Sequence, residues 1–181
     1  MYHKEKAEKY FTIDFIEDFL RHEFTQIYYG ERIAEILFRK NGHVEESSDE
    51  KTHGKLLLKI IGEPERLDKK TRLFFTNILK SEKSKQYEFL KWIEDIAIVK
   101  YKILKDFIIK KNIIEAILKD ELKHNEVLNN INYNTEEYPT LGKYEFTELY
   151  KKYKYDNWID LINNNYYCKL QYENFYNNAC I

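Results

Sequence analysis

The sequence predicts an all-α protein, four long helices with a short connecting helix and a C-terminal extension. Three observations predict it. Only five Gly and two Pro occur in 181 residues, so little interrupts helix. Apolar residues recur at helical spacing through the first 130 positions rather than alternating. The stretches "DEKTHGKLL" (49–57) and "DELKHNEVL" (120–128) each place a Glu and a His three apart, on one face of a helix.

Residues from about Ile13 to Arg39 read as the first helix, with Phe15, Phe19, Ile27, Ala34 and Leu37 on its apolar stripe. "KNGH" at 40–43 is a turn, and Gly42 is its helix stop. A second helix runs from Val44 to Ile61 and ends at "IGEP", where Gly62 and Pro64 break it. "LDKKTRLFFTNILK" at 67–80 reads as the connecting helix, capped by Asp68. The third long helix begins near Ser81 or Ser84. The fourth carries "IIEAILKDELKHNEVL" behind an Asn112 cap, and the turn between the two is placed near Asn112. Trp92 and Phe89 are assigned to the core, His22 to the surface or core, and His3 and His43 to solvent.

Two domains of unequal character follow: residues 1–131 form the bundle, and 132–181 form a Tyr- and Asn-rich extension packed on it. Loop and tail hold ten of the sixteen tyrosines, with the amphipathic segments "FTELYKKY" and "NWIDLI" among them. Net charge is −1 and Lys alternates with Glu and Asp, so no basic field attracts nucleic acid and no nucleic-acid partner is expected. Cys168 and Cys180 form no CxxC pair, which leaves zinc knuckles, rubredoxin-type iron and disulfide scaffolds unsupported. No apolar run nears the ~18–20 residues of a membrane helix, and the start is not a signal peptide. The expected localisation is cytoplasmic, with no membrane partner.

The two Glu-x-x-His pairs are Glu50/His53 and Glu121/His124. Each has a Glu 27 residues upstream, Glu23 and Glu94, so the whole set repeats at an offset of 71. Glu17 and Glu88 repeat at the same offset. Six residues turn a helix by about 240°, so Glu17 and Glu23 cannot both face one site. If each 27-residue interval folds as a hairpin, the two glutamates return to one height. The midpoints fall ahead of the expected turns, before "KNGH" in the first hairpin and near Phe107 in the second. Packed together, the hairpins would direct four carboxylates and two imidazoles inward, the arrangement of di-iron carboxylate bundles. Hard carboxylate oxygens with imidazole suit iron, and bridging carboxylates hold two ions within reach of one small oxidant.

"YYGERIAEILFRKNGHVEESSDEKTHGKLLLKIIG" and "IEDIAIVKYKIL…AILKDELKHNEVL" resemble the two hairpins of ferritin-like and rubrerythrin-like proteins. Ala34 and Glu35 match an "A-E-x-L" stretch following the first ligand, and Tyr101 matches a Tyr seven residues after the third-helix ligand. The resemblance covers roughly residues 13–130. It implies a ferritin-like four-helix bundle with Glu50 and Glu121 as bridging ligands. Glu23, Glu94, His53 and His124 are then terminal ligands, and the cofactor is two Fe ions, with Mn or a mixed Mn/Fe pair as the alternative. It further implies an oxidoreductase that oxidises Fe(II) or reduces O2 or H2O2, supplied by an external electron donor if it is a peroxidase, in a chain that can pair as a homodimer. Tyr28, Tyr29 and Tyr101 are candidates to sit beside the ligands.

Departures narrow the expectation. Rubrerythrins carry a further Glu where this chain has Ala97, and their peroxidase metal shift depends on it. They also append a four-cysteine iron domain, which this chain does not contain. The linker "GEPERLDKKTRLFFTNIL" is similar to that of the ferritin-like domain joined to some vacuolar-type iron transporters, without implying transport. Gly30 is either a close helix contact or space for oxidant or substrate. Three other readings stand beside the leading one: a di-iron oxygenase or hydroxylase acting on an organic or RNA substrate, an iron-storage assembly, and a helical interaction module whose Glu-x-x-His pairs are solvated.

Overall fold

In the computed structural model, residues 13–67 and 69–131 are described. Helix α1 (Ile13–Lys40) ends where Gly42 takes a φ of 85°, the left-handed conformation that costs glycine least. The stop is a Schellman motif: the His43 N–H donates to the Phe38 carbonyl at 2.8 Å and the Gly42 N–H to the Arg39 carbonyl at 3.2 Å. Helix α2 (Val44–Ile61) follows after three residues and ends at Gly62, again with a positive φ, 73°. The sequence bounds of α2 and this structure coincide, because both ends are set by local glycine geometry.

Helices α3 (Lys69–Lys80) and α4 (Lys83–Leu104) are joined by a short turn. Gln86 secures it: its buried amide donates to the carbonyls of Ile78, Leu79 and Ser81 at 3.0–3.3 Å, satisfying the open end of α3. Asp68, the expected cap of α3, lies outside the described residues. From α4 the chain passes through a 3₁₀ turn (Lys105–Phe107) and an extended Ile108 into α5 (Lys111–Asn129). The reversal therefore precedes Asn112, which sits inside the first turn of α5 rather than capping it.

All five described helices pack without any strand among the described residues. Helix α1 lies along α2 and against α4, α5 lies along α4 and against α2, and α3 packs on α4. Leu37, Phe38, Leu57, Leu90, Ile114 and Ile117 fill the space between the hairpins, all essentially inaccessible. Phe89 is likewise core, while Trp92 is only partly buried against it. No described helix is long and apolar enough to cross a membrane. The 132–181 extension, both cysteines and His3 lie outside the described residues.

Candidate metal centre

Among these apolar side chains sit six that water would ordinarily keep: Glu31, Glu50, His53, Glu94, Glu121 and His124, none more than 4 % exposed. They form two groups. Glu31, Glu50, His53 and Glu121 each offer a ligand atom, all within 4.8 Å of one another, and Glu50, Glu94, Glu121 and His124 do the same. Glu50 and Glu121 belong to both. The i,i+3 spacing on α2 and on α5 brings each Glu/His pair onto one face, and the hairpins press the two faces together.

Both imidazoles turn Nδ1 inward. His53 Nδ1 lies 2.9 Å from Glu121, 3.3 Å from Glu31 and 3.6 Å from Glu50. His124 Nδ1 lies 2.6 Å from Glu50 and 3.5 Å from Glu94. The rings stack at 5.9 Å. Their outer nitrogens are held by the opposite hairpin: His53 Nε2 by Asp120 at 3.0 Å, His124 Nε2 by Asp49 at 3.1 Å. An Nε2–H donated to a carboxylate leaves the Nδ1 lone pair for the cluster, the arrangement that prepares an imidazole for a metal.

Of the residues the sequence singles out, the structure brings together Glu50, His53, Glu94, Glu121 and His124. It places Glu23 elsewhere. Glu23 lies eight residues, about 12 Å of helix, from Glu31, and its carboxylate meets the buried Lys100 ammonium at 2.9 Å. Glu31 occupies the α1 position of the cluster. The reason is hairpin asymmetry: three residues link α1 to α2, whereas six link α4 to α5, and the second hairpin also extends further beyond the cluster. Equal 27-residue intervals therefore do not reach equal heights. The signal was in the midpoints. The midpoint from Glu31 to Glu50 falls at the Asn41 turn, as that from Glu94 to Glu121 falls at the 3₁₀ turn. Asp49 and Asp120 were equally legible, each immediately before the Glu of its motif.

Glu17 is exposed. Tyr101, fully buried, donates its hydroxyl to Glu31. Tyr29 donates instead to the Glu65 carbonyl at 2.9 Å, and the Tyr28 ring covers Gly54, whose missing Cβ would lie 3.7 Å from it. His22 pairs with Glu65 at 3.2 Å, and His43 shares a 2.9 Å hydrogen bond with the Tyr87 hydroxyl instead of standing free in solvent.

The electrostatics are those of a site short of positive charge. Burial, reinforced by the charges of Glu121 and Glu31, pushes the Glu50 carboxyl well above its usual range. Burial and Glu50 do the same to Glu94, and burial with Glu31 and Glu94 the same to Glu121. Burial also disfavours the Glu31 anion, but bonds from Glu50, His53 and Tyr101 outweigh it and hold that carboxyl below the ordinary value. Burial opposes protonation of both histidines, yet the surrounding carboxylates prevail: His53 is raised, and His124 is pushed up to about 9. Tyr101, buried beside Glu31 and Glu121, is raised well above a normal phenol.

These donors suit a pair of divalent cations. Both oxygens of Glu50 and Glu121, Oε2 of Glu94 and Nδ1 of His124 are shielded from solvent without an aligned hydrogen-bond partner. Four ionised carboxylates with two neutral imidazoles carry four negative charges, which two divalent ions neutralise. Oxygen and imidazole donors are those that iron and manganese accept. The chain matches no protein-family model, and neither the curated proteins nor the solved structures give a match to it.

Proposed function

We propose that the protein is a di-iron oxidoreductase built on a ferritin-like four-helix bundle, with its two metal ions held by Glu31, Glu50, His53, Glu94, Glu121 and His124. The observation that carries this reading is the sharing of Glu50 and Glu121 between two four-residue groups. Surface ion pairing would not bury four carboxylates about two imidazoles, since isolated buried charges are costly.

Glu50 and Glu121 are assigned as the bridging pair. Glu31 with His53 and Glu94 with His124 complete the two positions. Two iron ions held by these residues would supply a redox couple able to reduce O2 or H2O2. The chain's own residues do the rest. Asp120 and Asp49 hold the imidazoles in the ligating tautomer. Tyr101 orients Glu31 through its hydroxyl. Phe38 packs edge to face on the His124 ring at 5.5 Å. Ala97 stands where rubrerythrins carry a further Glu, so a peroxidase cycle relying on that residue is not part of the proposal.

Anaerobic loading with Fe(II), followed by metal analysis, tests the reading. Two irons per chain are expected, with oxidation on addition of O2 or H2O2, and the faster of the two identifies the oxidant. Failure to bind a stoichiometric metal sinks it. A second reading, oxidation of an organic substrate, is favoured by a cavity that opens onto Glu31, Glu94 and Glu121.

A further inference from the structure

That cavity measures about 140 Å³. Cluster residues Glu31, Glu94 and Glu121 form part of its wall, and Ile27, Phe75, Phe89, Trp92, Ile93 and Ala97 form an apolar part. Phe75 and Phe89 meet edge to face at 6.3 Å, and Phe89 and Trp92 are tilted at 5.8 Å. Gly30 lies on the α1 wall, where a Cβ would meet only Ile93, at 4.0 Å.

The segment 63–67 contributes Glu65, Arg66 and Leu67 to the lining and is tied down along α1. Thr25 accepts the Glu65 N–H at 3.3 Å, Tyr29 donates to the Glu65 carbonyl, and His22 holds the Glu65 carboxylate. Arg21 donates to the Glu63 carbonyl at 3.4 Å. This part of the lining is therefore held at four points on one helix.

We propose that this cavity binds a single-ring aromatic molecule, held among Phe75, Phe89 and Trp92 with its edge toward the carboxylates of Glu31, Glu94 and Glu121. The volume is close to that of protein cavities that take up benzene. An aromatic ring also has a reason to choose this site over a saturated ring of the same size. Its positive edge faces carboxylate oxygens, and its faces meet the edges of other aromatic rings. As a substrate pocket the cavity rests on the di-metal reading; as a binding site it stands without it.

Phenol and cyclohexanol, alike in size and hydroxyl but not in aromaticity, are titrated calorimetrically into the full chain, metal-free and Zn(II)-loaded. Saturable one-to-one phenol binding, at least tenfold tighter than cyclohexanol, is expected. Ala97→Leu on α4 and Thr71→Leu on α3 fill the cavity from two sides and should each weaken phenol at least tenfold, with helicity and metal stoichiometry unchanged. Absence of saturable phenol binding, equal affinity for cyclohexanol, or full affinity in both filled variants would overturn the proposal. Phenol binding by a protein that takes up no metal supports the pocket and removes the di-metal reading. Metal uptake without phenol binding does the reverse.

Discussion

His53 on α2 reaches across the molecule to Asp120 on α5, Nε2 to Oδ2 at 3.0 Å, and Asp120 is the residue just before Glu121, which His53 meets with its other nitrogen at 2.9 Å. His124 repeats the relationship with Asp49 and Glu50 at 3.1 and 2.6 Å. Each hairpin thus orients the other's imidazole with an Asp and faces it with the adjoining Glu. Neither half of the cluster is complete in one hairpin.

This crossing has a direct consequence for Asp120→Asn and Asp49→Asn. Outer carboxylates that orient metal-bound histidines are typically worth 10–100-fold in metal affinity. Asp120→Asn should weaken the position served by His53 by that factor, and Asp49→Asn the one served by His124. Titration with Co(II), followed by its absorption bands, separates one weakened position from two. Equal and unchanged affinities would show that the aspartates do not act on the metal.

The α1 glutamates separate cleanly. Glu31→Gln should reduce loading from two ions to one, because Glu31 belongs to a single four-residue group. Glu23→Gln should leave both ions bound yet cost about 3 kcal/mol of stability, since it removes the carboxylate from a buried Lys100. Metal analysis and thermal melting of the two variants distinguish these outcomes. Glu17→Ala, at an exposed position, should change neither.

Glu50→Ala and Glu121→Ala should each abolish two-metal binding, because each residue serves both groups. Inductively coupled plasma analysis after gel filtration reads this directly. Retention of two ions by either variant would show that the bridging assignment is wrong.

The metal-free protein should become less stable as pH rises. Glu50, Glu94 and Glu121 have folded values raised above 4.5, so their contribution is complete below that pH and lost as pH climbs through the folded values. His53 and His124 act in the same direction: their contribution is complete below 6.5, and His124 loses its share as pH passes about 9. Glu31 is lowered and opposes them, but its contribution is already complete above 4.5. Melting temperature of chelator-treated protein should therefore fall between pH 5 and 9. Divalent metal should flatten the profile and release protons on binding. A rising profile in metal-free protein would contradict the reading.

Much of this site could be read before the fold was known. Helix α2 and its Glu50/His53 face follow from i,i+3 spacing and from glycines at 42 and 62, all local features. The same spacing places Glu121 and His124 together on α5. Local rules failed at two places. The α4–α5 reversal has neither Gly nor Pro and is made by a 3₁₀ turn and an extended Ile108, so local signals place it at Asn112, several residues too late. The 71-residue offset and the A-E-x-L resemblance both point to Glu23, but equal spacing marks equal height only in hairpins that are alike, and these two are not.

By itself, the sequence determined which helices form and which face of α2 and α5 carries a carboxylate and an imidazole, because those depend on contacts within one turn of chain. Only the tertiary structure decided that Glu31 rather than Glu23 completes the group, that each His is held by the other hairpin's Asp, and that an aromatic-walled cavity adjoins the carboxylates. Those depend on the heights at which helices meet. Heights are set by connection lengths and packing across the whole molecule, which no single stretch of sequence contains.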